Sequence, residues 1–168
     1  MSYVDTSIIV AALDYLDPRQ KSALEVLEKK GDKKISELVL VELASILSRK
    51  RNILYEAFRK IGVKEELMIP AAILYIVKRF RLEYKRVYDH GRVLPLGDFY
   101  LPLATAIELS SKFKLKTLDL LHLAYIKTLI DQEEEIFELI TVDEDFKKEE
   151  ESIKRELKID IKTLDNLL

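Results

Sequence analysis

Short apolar runs that stop at an acidic residue, each followed by a stretch of helical periodicity, recur along this chain and limit it to a layered α/β fold. Tyr3–Val4 with its flanks ends at Asp5, and Phe137–Val142, the clearest buried strand, ends at Asp143. Lys33–Ser36 is predicted as a second short strand and Ile159–Leu164 as the last, reached through a charged helix. Between them the spacing predicts helices over Ile8–Leu13 (capped by Thr6 and Ser7), from Pro18 to Gly31, and from Ser36 to about Lys50. Further helices are expected over Leu54–Ile61, Lys64–Phe80, Phe99–Lys112 and Leu118–Leu129. Arg92–Leu96 is predicted as a brief edge strand, because Pro95 cannot donate to a central ladder. This order favours a single domain over residues 1–168: a three-layer α/β/α sandwich with a mostly parallel sheet. An added helical segment, about residues 51–90, is placed between the second and third strands. In open parallel sheets ligands bind beyond the carboxyl ends of the strands, where Asp5 and Asp143 fall.

Composition narrows the chemistry. The balance of 48% hydrophobic and 35% charged residues is that of a chain with a core, and 168 residues suit one domain. No apolar run approaches the roughly 18–20 residues that span a bilayer. MSYVDTS lacks the basic start of a secretory signal, so a cytoplasmic protein without membrane contact is expected. Cys is absent and only two His are present, which excludes Cys-ligated and His-rich zinc sites. A metal centre here must be built from oxygen ligands, and that points to Mg²⁺ or Mn²⁺. Net charge is −2, but the charges are unevenly spread. Lys78–Arg92 carries six Lys or Arg against two acids, and Asp131–Glu151 carries eleven acids against two Lys. Such asymmetry is read either as a basic contact surface on an acidic protein or as two solvated helical faces.

Four acids stand out among thirty. Asp5 and Asp143 either cap the helices that follow them or face a ligand; Thr6, Ser7 and Asp145 are equally good caps. Glu42 lies in LVLVELASIL, and Leu38, Val39, Ser45 and Ile46 at i±3 and i±4 offer it no basic partner. It is at a helix edge in solvent or inside a polar pocket. Asp119, in LKTLDLLHLAYI, sits near a helix start that Thr117 can cap, where the helix dipole alone would accommodate it. Converging at one sheet edge, these carboxylates would repel one another strongly unless cations neutralised them. Hard divalent ions require such a cluster, and the ions in turn perform phosphoryl-transfer chemistry.

YVDTS at residues 3–7, SELVLVELASIL at 36–47, LKTLDLLHLA at 115–124 and ITVDEDF at 140–146 together resemble the motifs of the PIN-domain family, in particular its VapC-type toxins. They occur in the family's order, and RVLPL at 92–96 resembles the family's small third strand. The resemblance implies a PIN-like sandwich and a Mg²⁺- or Mn²⁺-dependent endoribonuclease. It further implies a toxin with a small antitoxin partner, and a homodimer. By position Asp5, Glu42, Asp119 and Asp143 match the family's acidic quartet: Asp5 and Asp119 as direct metal ligands, Glu42 and Asp143 ligating directly or through water. Thr6, Ser7 and Thr141 match hydroxyl positions that orient carboxylates or touch phosphate.

Arg49, Lys50, Arg51, Arg79, Arg81 and Arg86 are candidate contacts to RNA, more readily single-stranded than duplex. His122, at i+3 from Asp119, is expected to pack in the core. The same is expected of the stripe Ile69, Ala72, Ile73, Ile76 and Phe80, with a partner surface as the alternative. An RNA-processing nuclease and a non-catalytic RNA- or protein-binding module are the rival functions. A haloacid-dehalogenase-type phosphatase would need an acid where Ser7 stands.

Overall fold

The computed structural model describes residues 1–49 and 62–164. Five strands form one parallel sheet in the order β3-β2-β1-β6-β7: β1 Ser2–Val4, β2 Lys33–Ile35, β3 Leu82–Tyr84, β6 Glu138–Ile140 and β7 Asp160–Lys162. Tyr3 pairs with Lys34 on one side and with Leu139 on the other. Each strand is three residues long, and β1, β2 and β6 are almost wholly buried, as expected of a sheet covered on both faces. The helices are α1 Thr6–Leu13, α2 Gln20–Glu28, α3 Glu37–Arg49, α4 Met68–Arg79, α5 Leu101–Leu109, α6 Thr117–Asp131, α7 Glu144–Lys148 and α8 Glu150–Leu157. Connections from β1 through β2 to β3 step one way across the sheet, and the connection from β6 to β7 steps the other. Right-handed crossovers in opposite directions put helices on both faces. The order reverses between β1 and β6, which opens a crevice at their carboxyl ends.

Three details depart from the expectations. The third strand of the sheet is Leu82–Tyr84, inside the stretch expected to be a helical excursion. Flanked by Arg81 and Lys85, three residues carry too little alternation to read as a strand. Arg92–Leu96 is not an edge strand of the main sheet. It forms the end and turn of a separate antiparallel hairpin, β4 His90–Val93 with β5 Gly97–Tyr100. Phe99 and Tyr100 accordingly belong to β5, and α5 begins at Leu101. Thr6 and Ser7 lie within α1, whose cap position is Asp5, and Thr117 is the first residue of α6, after Lys116. Lys64–Phe80 is helical largely as expected, as a short 3₁₀ turn at Glu65–Leu67 followed by α4. In its stripe Ala72, Ile76 and Phe80 are buried and Ile73 packs against the core. The helix expected over Leu54–Ile61 lies outside the described residues.

The hairpin rests on α5 through Gly91. A Cβ built there would approach Ala104 Cβ and Leu101 Cδ1, both at 2.9 Å. Gly91→Ala is therefore expected to destabilise the protein by about 1–3 kcal/mol through overpacking, read as a lower urea midpoint at unchanged slope.

Candidate active site

The carboxyl ends of β1 and β6 deliver the first two acids. Asp5 directly follows β1, and its backbone N–H donates to Ile140 O at the end of β6, 3.0 Å away. Although Asp5 occupies the cap position of α1, its side chain makes no capping bond. Its Oδ2 accepts instead from Ser7 Oγ (2.5 Å) and Thr141 Oγ1 (2.6 Å). Ser7 Oγ also accepts from Val142 N at 3.2 Å, which ties α1 to the end of β6. Asp143 does cap its helix: Oδ1 accepts from Asp145 N at 2.8 Å, while Asp143 N donates to Thr141 Oγ1. Asp143 thus caps its helix and Asp5 does not.

Glu42 and Asp119 come from helices. Glu42, on α3, turns into the cleft, where its Oε2 accepts from Thr6 Oγ1 and from His122 Nε2 at 2.9 Å. Burial works against its ionisation, but the bonds from His122 and Thr6 outweigh it and hold its pKa below the ordinary carboxylate value. Asp119 lies in the first turn of α6, and its buried Oδ2 has no hydrogen-bond partner among the described residues. Burial, then the charges of Asp143 and Asp5, push its pKa up to about 6. The four acids line one cleft of about 320 Å³ with Thr6, Ser7, His122, Asp17 and Arg19.

His122 is buried, as expected, and it also meets the acids of this cleft. It is 2% exposed, as a packing histidine would be, yet both ring nitrogens face polar groups of this centre. Burial opposes its protonation; the bond to Glu42 and the charges of Asp5, Glu42 and Asp119 prevail and raise its pKa. Its i+3 spacing from Asp119 was the one local sign. The partner Glu42 is eighty residues away, beyond any helical pattern. Arg19 and Lys116 were also missed. Arg19 pairs with Asp17 at 2.8 Å, and Lys116 bonds Asp145 at 2.7 Å, holding that acid's pKa at about 2 together with Lys148.

The proposed phosphate contacts scatter. Arg79 and Arg81 precede β3, at the amino-terminal edge of the sheet away from the acids. There they line a cleft of about 590 Å³ with Lys29, Lys30 and Lys33. Arg79 pairs with Glu28, so neither arginine is placed to hold a phosphate at the carboxylates. Arg86 follows β3 at the carboxyl edge and lies over the Tyr84 ring. Arg49, at the end of α3, donates to Ser45 Oγ; Lys50 and Arg51 lie outside the described residues. Much of the basic run is neutralised internally, with Lys85 bonded to Glu83 and Glu134.

Two groups could hold a cation among the described residues: Asp5, Glu42 and His122, and Asp119, Asp143 and Asp145, each with one ligand atom per residue within 4.8 Å of the others. The donor set fits a hard divalent ion, because it is dominated by carboxylate oxygens and Asp119 Oδ2 is buried with no donor among the described residues.

A parallel α/β/α domain with carboxylates gathered at its switch point defines the class. The chain belongs to the PIN-domain family, a family of nucleases: the profile of that domain matches residues 2–151. Among solved structures it is similar to VapC20 of Mycobacterium tuberculosis, a toxin that cleaves the sarcin–ricin loop. The identity is 18% over 88% of this chain and 94% of that one, with a TM-score of 0.55. It is also similar to VapBC2 of Rickettsia felis, solved bound to a DNA fragment from its promoter. Here the identity is 20% over 97% and 98% of the chains, again with a TM-score of 0.55. No curated protein matches the sequence. Among the described residues no helix is long and apolar enough to cross a membrane.

Proposed function

We propose that this protein is a Mg²⁺- or Mn²⁺-dependent endoribonuclease, the toxin of a VapBC-type pair. The observation that carries the reading is Asp119: a carboxylate oxygen buried without a donor among the described residues, beside Asp5 and Asp143, in want of a cation. Family membership and the two toxin-related neighbours support the substrate class. Asp5 and Asp119 would hold the ion, with Glu42 and Asp143 completing its environment. When bound, it supplies positive charge for the phosphate and lowers the pKa of a water. Asp5 is held ready by Ser7 and Thr141, and Glu42 by Thr6 and His122, so little side-chain freedom remains to be lost on binding. In the reaction, water adds to phosphorus in line with the 3′ oxygen. The P–O3′ bond breaks, and that oxygen leaves with a proton as a hydroxyl. A small antitoxin protein and homodimeric assembly belong to the same reading.

Total RNA incubated with the protein and Mn²⁺ is expected to yield discrete cleavage products that excess EDTA suppresses. The metal should also raise the melting temperature, in proportion to the logarithm of its concentration above Kd. Cleavage undiminished in EDTA would defeat the reading. Growth arrest on expression, relieved by a small co-expressed protein, separates a toxin from a processing nuclease.

A further inference from the structure

Behind the carboxylates runs a buried chain of hydrogen bonds assembled from three separate segments. Ser36, between β2 and α3, lies 2.6 Å from the hydroxyl of Tyr3 on β1. That hydroxyl lies 3.1 Å from Nδ1 of His122 on α6. Nε2 of the same ring meets two carboxylates, Glu42 Oε2 at 2.9 Å and Asp5 Oδ1 at 3.2 Å. Tyr3 and Ser36 are wholly buried, and the Tyr3 ring meets the imidazole edge-on at a centroid distance of 5.9 Å.

The direction of the bonds follows from what each atom can do. A carboxylate only accepts, so Nε2 carries a hydrogen, whether the ring is neutral or charged. Tyr3 occupies the other nitrogen, and its ring packs edge-on against the imidazole. One N–H is thereby held between two acids that would otherwise repel each other. Glu42 has the most to lose without it: its side chain has three rotatable bonds, is only 18% exposed, and is held at Oε2 alone among the described residues. Packing alone does not account for this arrangement, since Tyr3 by itself would satisfy one nitrogen of a core histidine. Ligation by the ring does not account for it either, because both nitrogens already have partners and a hard ion prefers oxygen.

We propose that His122 is a positioning residue of the acidic centre. Its Nε2–H ties Glu42 to Asp5, and Tyr3 with Ser36 fixes the imidazole that does so, presenting the carboxylates preassembled to a divalent cation. This rests on the ion-binding reading of the site given above. Groups that orient ligands in this way change ion affinity or activity by about 10–100-fold when removed.

The test compares wild type with His122→Leu, His122→Gln and Tyr3→Phe. Mn²⁺ affinity is measured by calorimetric titration without RNA, alongside kcat and KM on an RNA substrate, with circular dichroism to follow the fold. His122→Leu should lose about 10–100-fold in Mn²⁺ affinity and in kcat, with KM changed by no more than about twofold. Gln can place an amide N–H where Nε2 stands, and His122→Gln should recover most of the loss. Tyr3→Phe, which removes one hydroxyl worth about 1 kcal/mol, should lose about threefold to tenfold in affinity.

Wild-type Mn²⁺ affinity in His122→Leu, or a Gln variant no better than the Leu variant, overturns the proposal. If His122→Leu does not fold, the other two variants decide: unchanged affinity in Tyr3→Phe overturns it, and a loss there with near wild-type affinity in His122→Gln supports it. A wild-type protein that binds no Mn²⁺ overturns the reading of the site and this inference with it. Binding at wild-type affinity in every variant overturns this inference alone.

Discussion

Asp119→Asn is expected to abolish Mn²⁺-dependent RNA cleavage and, at neutral pH, to make the metal-free protein more stable. The two effects share one cause. Asp119 Oδ2 is buried without a donor among the described residues, and burial and the charges of Asp143 and Asp5 raise its pKa to about 6. The folded protein therefore favours the protonated acid. Because the folded pKa lies above the unfolded one, the stability tied to Asp119 is present below about pH 4 and lost as pH rises through about 6. Asn has the shape of the protonated acid without the charge. A shift of about two units would be worth nearly 3 kcal/mol in a sealed site. The cleft opens to solvent, so about 1 kcal/mol is the expected gain, or about 2–4 °C in melting temperature. The gain should vanish at pH 4 and below. Loss of a direct ligand should exceed the ~10–100-fold effect of groups that only orient ligands. Cleavage assays with and without Mn²⁺, and thermal melts from pH 4 to 8 in EDTA, check both halves. Full activity, or a variant less stable than wild type at pH 7, would contradict the prediction.

Phe146→Ala should cost about 3–5 kcal/mol, the largest stability effect expected of one substitution here. The ring is 0% exposed beneath α7, three residues beyond Asp143, and no rearrangement of so short a helix can fill the space it would leave. At roughly 2–4 °C per kcal/mol, the melting temperature should fall by about 6–20 °C. Phe137→Ala is the control: its ring is 60% exposed, and its removal should change stability by less than about 0.5 kcal/mol. Denaturant unfolding of both variants distinguishes a packed αβ corner around Asp143 from one held by backbone alone.

The contrast between the two phenylalanines also marks how far the sequence could be read. Phe137–Val142 looked like one buried run, but the strand is Glu138–Ile140, and its first expected residue faces solvent. Short parallel strands carry little internal pattern, so their ends and even their existence, as with Leu82–Tyr84, depend on neighbours that sequence spacing does not name. Helix α3 was legible because its stripe repeats over thirteen residues. Glu42 stood out on it because an unpaired acid in apolar company is a local anomaly. His122 did not stand out, since a lone histidine on an apolar helix has an ordinary explanation until its partners are seen.

Strand–helix alternation determined a layered parallel fold, the absence of Cys and scarcity of His limited any metal centre to mainly oxygen ligands, and the ordered motifs marked Asp5, Glu42, Asp119 and Asp143 as candidates. All of these are encoded over a few residues, by side-chain periods of two and 3.6 and by which atoms can bind what. Only the tertiary structure set β1 beside β6, so that Thr141 could bond an aspartate 136 positions away. It left one oxygen of Asp119 without a partner among the described residues, brought His122 between two acids, and sent Arg79 and Arg81 to the far edge of the sheet. Those outcomes depend on strand order and on contacts between distant segments. The free energy of such contacts comes from burial and charge in three dimensions, which no local pattern records.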